Sequence, residues 1–188
     1  MSKKQRKILG IILAVVALCI GSLYILKVNT KKLSPEEIVV FEQDSLKIEV
    51  FYNRPFKKGR NIFGELVPYG QVWRTGANEA TTFETNVDLN IEGSTLSAGK
   101  YTLWTIPNKT SWQIIFNEKM YNWGVKFSDG KASRNEEYDA LKIEVPISRN
   151  LKIIEQFSIY FDEQFGTINM FIAWDDIVVP LSLKPIET

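Results

Sequence analysis

Residues 46–53, Leu46-Lys47-Ile48-Glu49-Val50-Phe51-Tyr52-Asn53, decide the class of fold. Leu46, Ile48, Val50 and Tyr52 alternate with Lys47, Glu49, Phe51 and Asn53. A repeat of two is what a strand shows when its faces meet different surroundings. Similar segments follow at 80–85, 87–92, 101–106, 112–117, 139–147, 153–161, 167–174 and 177–183, rich in Val, Ile, Thr, Phe, Tyr and Trp. Ser97-Ala98-Gly99-Lys100, Pro107-Asn108-Lys109, Asp129-Gly130 and Gln164-Phe165-Gly166 supply turn chemistry between them. Pro146 and Pro180 lack an amide proton, so their strands are expected to be edges or bulged there. No stretch sustains a 3.6-residue repeat, although 59–66 has room for a helical turn. Many closely spaced strands predict an all-β domain: one antiparallel β-sandwich of jelly-roll or immunoglobulin-like type, with a barrel as the alternative.

Upstream of this domain, Ile8 to Leu26 is 19 residues without a charge. At 1.5 Å per residue that is about 28 Å, close to a bilayer's hydrocarbon core. Lys3, Lys4, Arg6 and Lys7 precede it, and basic flanks favour the cytoplasmic side, although Lys27, Lys31 and Lys32 follow. The expected organisation is a basic flank at 1–7, one transmembrane helix at 8–26, a polar linker at 27–37 and the β domain at 38–188, facing away from the cytoplasm at the cell membrane. The competing reading is a cleaved signal peptide, with Cys19 and Gly21 near a cleavage point. Against it, the apolar run continues through Leu23 to Leu26.

Composition excludes several functions. The chain has 188 residues, 23 basic and 22 acidic, so it carries no field for a nucleic-acid partner. It has no histidine, which removes Ser-His-Asp catalysis and the commonest ligand of zinc, copper and non-haem iron. Its one cysteine, Cys19, lies in the apolar segment, leaving the β domain without thiol nucleophile, disulfide or thiolate metal site. The sequence points to no cofactor and no metal.

Between Arg54 and Glu79 stand Arg54, Lys57, Lys58, Arg60 and Arg74 against only Glu65 and Glu79, a locally basic stretch in a neutral chain. Arg74-Thr75-Gly76-Ala77-Asn78-Glu79-Ala80-Thr81 is a polar connection between apolar segments. An arginine fork suits a carboxylate or phosphate, and an asparagine can donate and accept beside it. One reading is a site where Arg74, Asn78 and Glu79 bind a small polar or anionic ligand, with Arg54 or Arg60 nearby. The other is that Arg74 pairs with Glu79 and Asn78 satisfies turn backbone. Trp104, in the segment Tyr101-Thr102-Leu103-Trp104-Thr105-Ile106, is expected to be half exposed, because neither face there is clearly apolar, and it can line a sugar site. Two further classes stay open. A hydrolase or isomerase would pair Glu79 with Asp162 or Glu163, and a structural domain would dock another protein.

The stretch NRPFKKGRNIFGELVPYGQVWRTGANEATTFET (Asn53 to Thr85), followed by LSAGKYTLWTIPNKTSWQIIFNE (Leu96 to Glu118), resembles a bacterial family without an assigned activity, domain of unknown function 2911. The tail from Tyr138 onward fits more loosely. The resemblance implies an exported protein with an N-terminal signal or anchor, and no particular activity. Two shorter patterns carry nothing. Ser97-Ala98-Gly99-Lys100 matches S-x-x-K, but a turn rather than a helix holds its serine. Glu136, Glu137 and Asp139 fit no calcium-loop spacing.

Overall fold

The computed structural model describes residues 2–164 and 166–186. Met1, Phe165, Glu187 and Thr188 lie outside the described residues, and with Phe165 goes the centre of the turn expected at 164–166. The chain divides into two units, Met1–Leu33 and Ser34–Thr188. The first is helix α1, Lys3–Leu33. It is long and apolar enough to cross a membrane by length and composition, features that a signal sequence shares. Its 31 residues make about 46 Å of helix. The helix therefore outlasts the apolar run and takes in much of the polar stretch after it.

Among the described residues the second unit has ten antiparallel strands: β1 (Glu36–Gln43), β2 (Leu46–Asn53), β3 (Thr82–Thr85), β4 (Leu89–Ile91), β5 (Ser94–Leu96), β6 (Gly99–Pro107), β7 (Ser111–Asn117), β8 (Asp139–Pro146), β9 (Ser148–Gln164) and β10 (Thr167–Pro185). They form a six-stranded sheet in the order β1-β2-β3-β6-β7-β8 and a four-stranded sheet in the order β5-β4-β10-β9. One apolar cluster draws on both sheets. Ile48, Val50, Tyr52, Phe83, Leu103, Ile114 and Phe116 come from the larger sheet, and Leu89, Ile91, Phe157, Ile159, Met170, Ile172, Val179 and Leu181 from the smaller. The alternation read at 46–53 is therefore physical: Leu46, Ile48, Val50 and Tyr52 enter the core while Lys47 stays in solvent.

The prolines sit where no amide is needed. Pro146 ends β8, an edge strand. Pro180 lies in central strand β10, but pairing to β9 ends at Val178 and pairing to β4 begins at Leu183, so no ladder bond is lost. The segments expected at 167–174 and 177–183 are one long strand, interrupted by register shifts around Asp175 rather than by a turn. Residues 59–66 form successive turns and no helix. Val67 N donates to Ile62 O (2.8 Å) and Gly64 N to Val67 O (2.9 Å).

Candidate functional site

Residues 74–81 are looped out of a sheet. On one side of the loop, Leu103 N of β6 donates to Thr81 O (2.8 Å). On the other, Trp73 and Thr105 exchange both backbone bonds, 2.7 and 3.0 Å. The chain between arches over the end of β2. Its closure is side-chain work: Thr81 Oγ1 donates to Thr75 O (2.7 Å), Thr75 Oγ1 to Thr105 Oγ1 (3.2 Å) and Trp73 Nε1 to Gly76 O (3.1 Å). Thr75 (φ 54°) and Asn78 (φ 57°) hold the left-handed conformation that side chains disfavour. Gly76 (φ 147°) has no choice of residue, because a Cβ there would stand 2.9 Å from Asn53 O.

Asn53, the last residue of β2, organises the floor. It is fully buried; its Nδ2 donates to Glu79 Oε2 (3.1 Å) and its Oδ1 accepts from Asn78 Nδ2 (3.3 Å). Sequence reading placed Asn53 only at the end of a strand, and nothing local marks it as a partner of residues 25 and 26 positions on.

A roof closes the loop from above. Residues 118–135 cross the outer face of the larger sheet, pinned where Lys119 O accepts from Thr102 Oγ1 (2.9 Å) and Asn78 O from Gly124 N (3.1 Å). Arg74 lies directly beneath Gly124. A Cβ at 124 would come within 2.6 Å of Arg74 Cβ and closer still to its Cδ, so only glycine leaves room for the arginine stem. Burial pulls the Arg74 pKa below its ordinary value, and the attraction of Glu79 only partly opposes it. Arg74 Nε is buried and has no hydrogen-bond partner.

The expected site residues separate into two groups. Asn78 and Glu79 both bond Asn53, and Arg74 lies close enough to Glu79 to feel its charge. Arg54 and Arg60 are engaged elsewhere: Arg54 binds Glu37 (2.8 Å), Phe157 O (3.1 Å) and Ser158 Oγ (2.9 Å), tying β1 to β9, while Arg60 folds back on the carbonyls of Lys57 and Phe56. In the Arg54 network the Tyr52 hydroxyl donates to Glu37 (2.6 Å), and burial with that bond pushes the phenol well above its usual range.

Trp104 is not half exposed. It is fully buried on the outer face of the sheet with Ala80 and Ile115, its ring edge-on to Tyr121 at 5.4 Å and its Nε1 bonded to Thr102 Oγ1 (2.9 Å). Both faces of β6 are covered, one by the core and one by the roof, which is why its sequence shows no apolar side.

The pairing of Glu79 with Asp162 or Glu163 is also not realised. Glu79 bonds Asn53, which stands opposite Glu36 at the start of β1. Glu163, next to Asp162, bonds Gln43 at the other end (3.0 Å). The seven residue steps of strand between Glu36 and Gln43 are about 23 Å. That is beyond the about 5–9 Å that paired catalytic carboxyls need.

Residues 34–183 match the family described as "Protein of unknown function (DUF2911)". The chain belongs to this family. The match starts at the first residue after α1 and takes in all ten strands apart from the last two residues of β10, so family membership concerns the β domain. Comparison with curated proteins and with solved structures found no match.

Proposed function

We propose that this member of the family is a membrane-tethered, noncatalytic binding domain, displayed outside the cytoplasm, whose 74–81 loop takes a small ligand carrying a carboxylate or phosphate. The observation that carries this reading is the buried Nε of Arg74. A buried donor left without an acceptor costs about 1–3 kcal/mol, and folded proteins keep few. Here it belongs to a cation whose planar fork suits an anionic oxygen pair, in a loop that spends further energy on left-handed Thr75 and Asn78. A ligand oxygen would satisfy the donor. Glu79 and Asn78 give selectivity beside it, disfavouring multiply charged anions that crowd the carboxylate and favouring ligands with hydroxyl or amide groups.

The tether is read from α1, and its direction from Lys3, Lys4, Arg6 and Lys7 before the apolar run. The distance between Glu79 and Asp162 or Glu163 supports a binding role over a hydrolase or isomerase built on that pair.

Thermal unfolding of the full chain in lipid, against a panel of organic acids and phosphates, tests the ligand. At a hundredfold its dissociation constant a binder adds about 2.7 kcal/mol. At about 2–4 °C per kcal/mol, that is a shift of several degrees for a chain of this size. Stabilisation that is present in wild type and absent in Arg74→Met supports the reading. A panel without effect, or an effect that survives Arg74→Met, contradicts it.

A further inference from the structure

On the other side of the aromatic core lies a second polar feature. Trp73 and Trp174 stack at 6.0 Å, and just beyond Trp174 the regular pairing of β10 breaks at Asp175, whose φ of 57° is left-handed. The break turns Asp175 and Asp176 toward the 61–69 turns and the start of β9. A cleft of about 280 Å³ opens there between Asn61, Glu65, Tyr69, Arg149, Asp175 and Asp176, floored by Ile62, Phe63 and Ile177.

We propose that this cleft binds a single neutral sugar ring. Its size falls just below that of drug-sized pockets, which limits the occupant to about one ring. The charges are already matched: Lys57 pairs with Asp175 and Arg149 with Asp176, leaving Glu65, which accepts from Asn61 Nδ2 (2.8 Å). An anion would meet three carboxylates, and a cation would find two of them already paired with Lys57 and Arg149 and only Glu65, held by the Asn61 amide, left to it. A polyol instead uses both signs, since carboxylates accept from hydroxyls while the Arg149 guanidinium and the Asn61 amide donate to them. Tyr69 supplies the aromatic face. Its ring is seated against Gly64 (φ 97°), where a Cβ would stand 2.8 Å from Tyr69 Cε2, so the platform is set before any ligand arrives. The proposal is independent of the Arg74 loop and uses none of its residues.

The test uses the full chain in lipid nanodiscs, since many detergents carry sugar heads. Glucose, galactose, mannose and N-acetylglucosamine are titrated to tens of millimolar and followed by backbone amide shifts. At least one sugar is expected to saturate, moving amides at 61–69 and 175–177. Tyr69→Ala and Asp176→Asn, at surface positions that leave the core intact, are each expected to weaken it at least tenfold, and Arg74→Met to leave it unchanged. The proposal is overturned if none of the four sugars moves these amides, if both variants bind as wild type does, or if methylammonium competes with the sugar at equal concentration.

Discussion

Two arginines, Arg74 beneath the roof and Arg134 within it, are treated in opposite ways. Arg134 is almost enclosed, with 7% of its side chain exposed, and is fully engaged: Nε donates to Asp139 Oδ1 (2.9 Å) and a terminal nitrogen to the second carboxylate oxygen. Asn117 Nδ2 completes the set by donating to Asp139 (2.8 Å) and to Asn135 O (2.8 Å). The hydrogen bond to Asp139 holds the Arg134 pKa above its ordinary value against burial. Arg74 shows the reverse, a pKa lowered by burial and a donor left over. A fork closed on both oxygens of a carboxylate is a lock, and a fork with an unsatisfied buried donor has capacity for something else. The contrast gives the holding of the roof to Arg134 and leaves Arg74 as the group on which the proposed ligand site rests.

The largest effect is expected where the lock is broken. Asp139→Ala leaves the enclosed Arg134 charge only the exposed Glu136 carboxylate at 3.9 Å, at a cost of about 3 kcal/mol, read by denaturant unfolding. The same variant is expected to weaken ligand binding at Arg74 by loosening the roof. If Asp139→Ala unfolds like wild type, Arg134 is not the lock and the comparison fails.

Next comes Gly76→Ala, which sets a methyl group against Asn53 O in a conformation alanine resists. It is expected to cost about 2 kcal/mol. Gly124→Ala is expected to cost about as much, about 2 kcal/mol, because Arg74 Cβ, which no side-chain rotation moves, would stand 2.6 Å from the new methyl group, and to abolish anion stabilisation. A Gly124→Ala protein that still responds to anions would separate Arg74 from the site.

Smaller again is the effect of Arg74→Met on the free protein, expected within about 1 kcal/mol of wild type, since an apolar stem of similar length replaces a buried charge with an unsatisfied donor. A loss of several kcal/mol would instead make Arg74 a second lock.

Acid sharpens the contrast by its sign. Burial pushes the Asp139 pKa up, but the bonds from Arg134 and Asn117 and the charges of Arg134 and Lys142 outweigh it, leaving the pKa below 3.8. A carboxyl depressed on folding contributes stability that is full above its unfolded pKa and is lost as pH falls through the folded value. Unfolding midpoints are therefore expected to drop below about pH 4 in wild type and less steeply in Asp139→Asn.

Much of this architecture was legible and the locks were not, for a physical reason. Alternation at 46–53 reports an environment that differs between two faces, and β2 has one. β6 is covered on both, so Trp104 looked half exposed until the roof was in place. β10 looked like two strands because Asp175-Asp176 breaks its apolar pattern, and a bulge in one strand has the same signature. The loop at 74–81 announced itself by its polar residues, but its floor, Asn53, and its roof, Gly124, are contacts across the sheet and across 50 positions of chain. A bare glycine carries no local sign of what will rest on it. Arg134 and Asp139 lie five apart in a stretch whose carboxylates match no calcium loop and mark nothing else, and their enclosure comes from Asn117 and Tyr121.

The most direct measurement is of the two Nε–H groups themselves, in a spectrum of the full chain in nanodiscs with arginine nitrogens labelled, before and after the anion panel. The Arg134 resonance is expected to be protected from exchange and indifferent to every anion, and the Arg74 resonance to move and become protected with at least one. If the Arg74 resonance ignores the entire panel while Arg134 stays fixed, the buried donor is not a binding group, and the 74–81 loop is only a piece of structure.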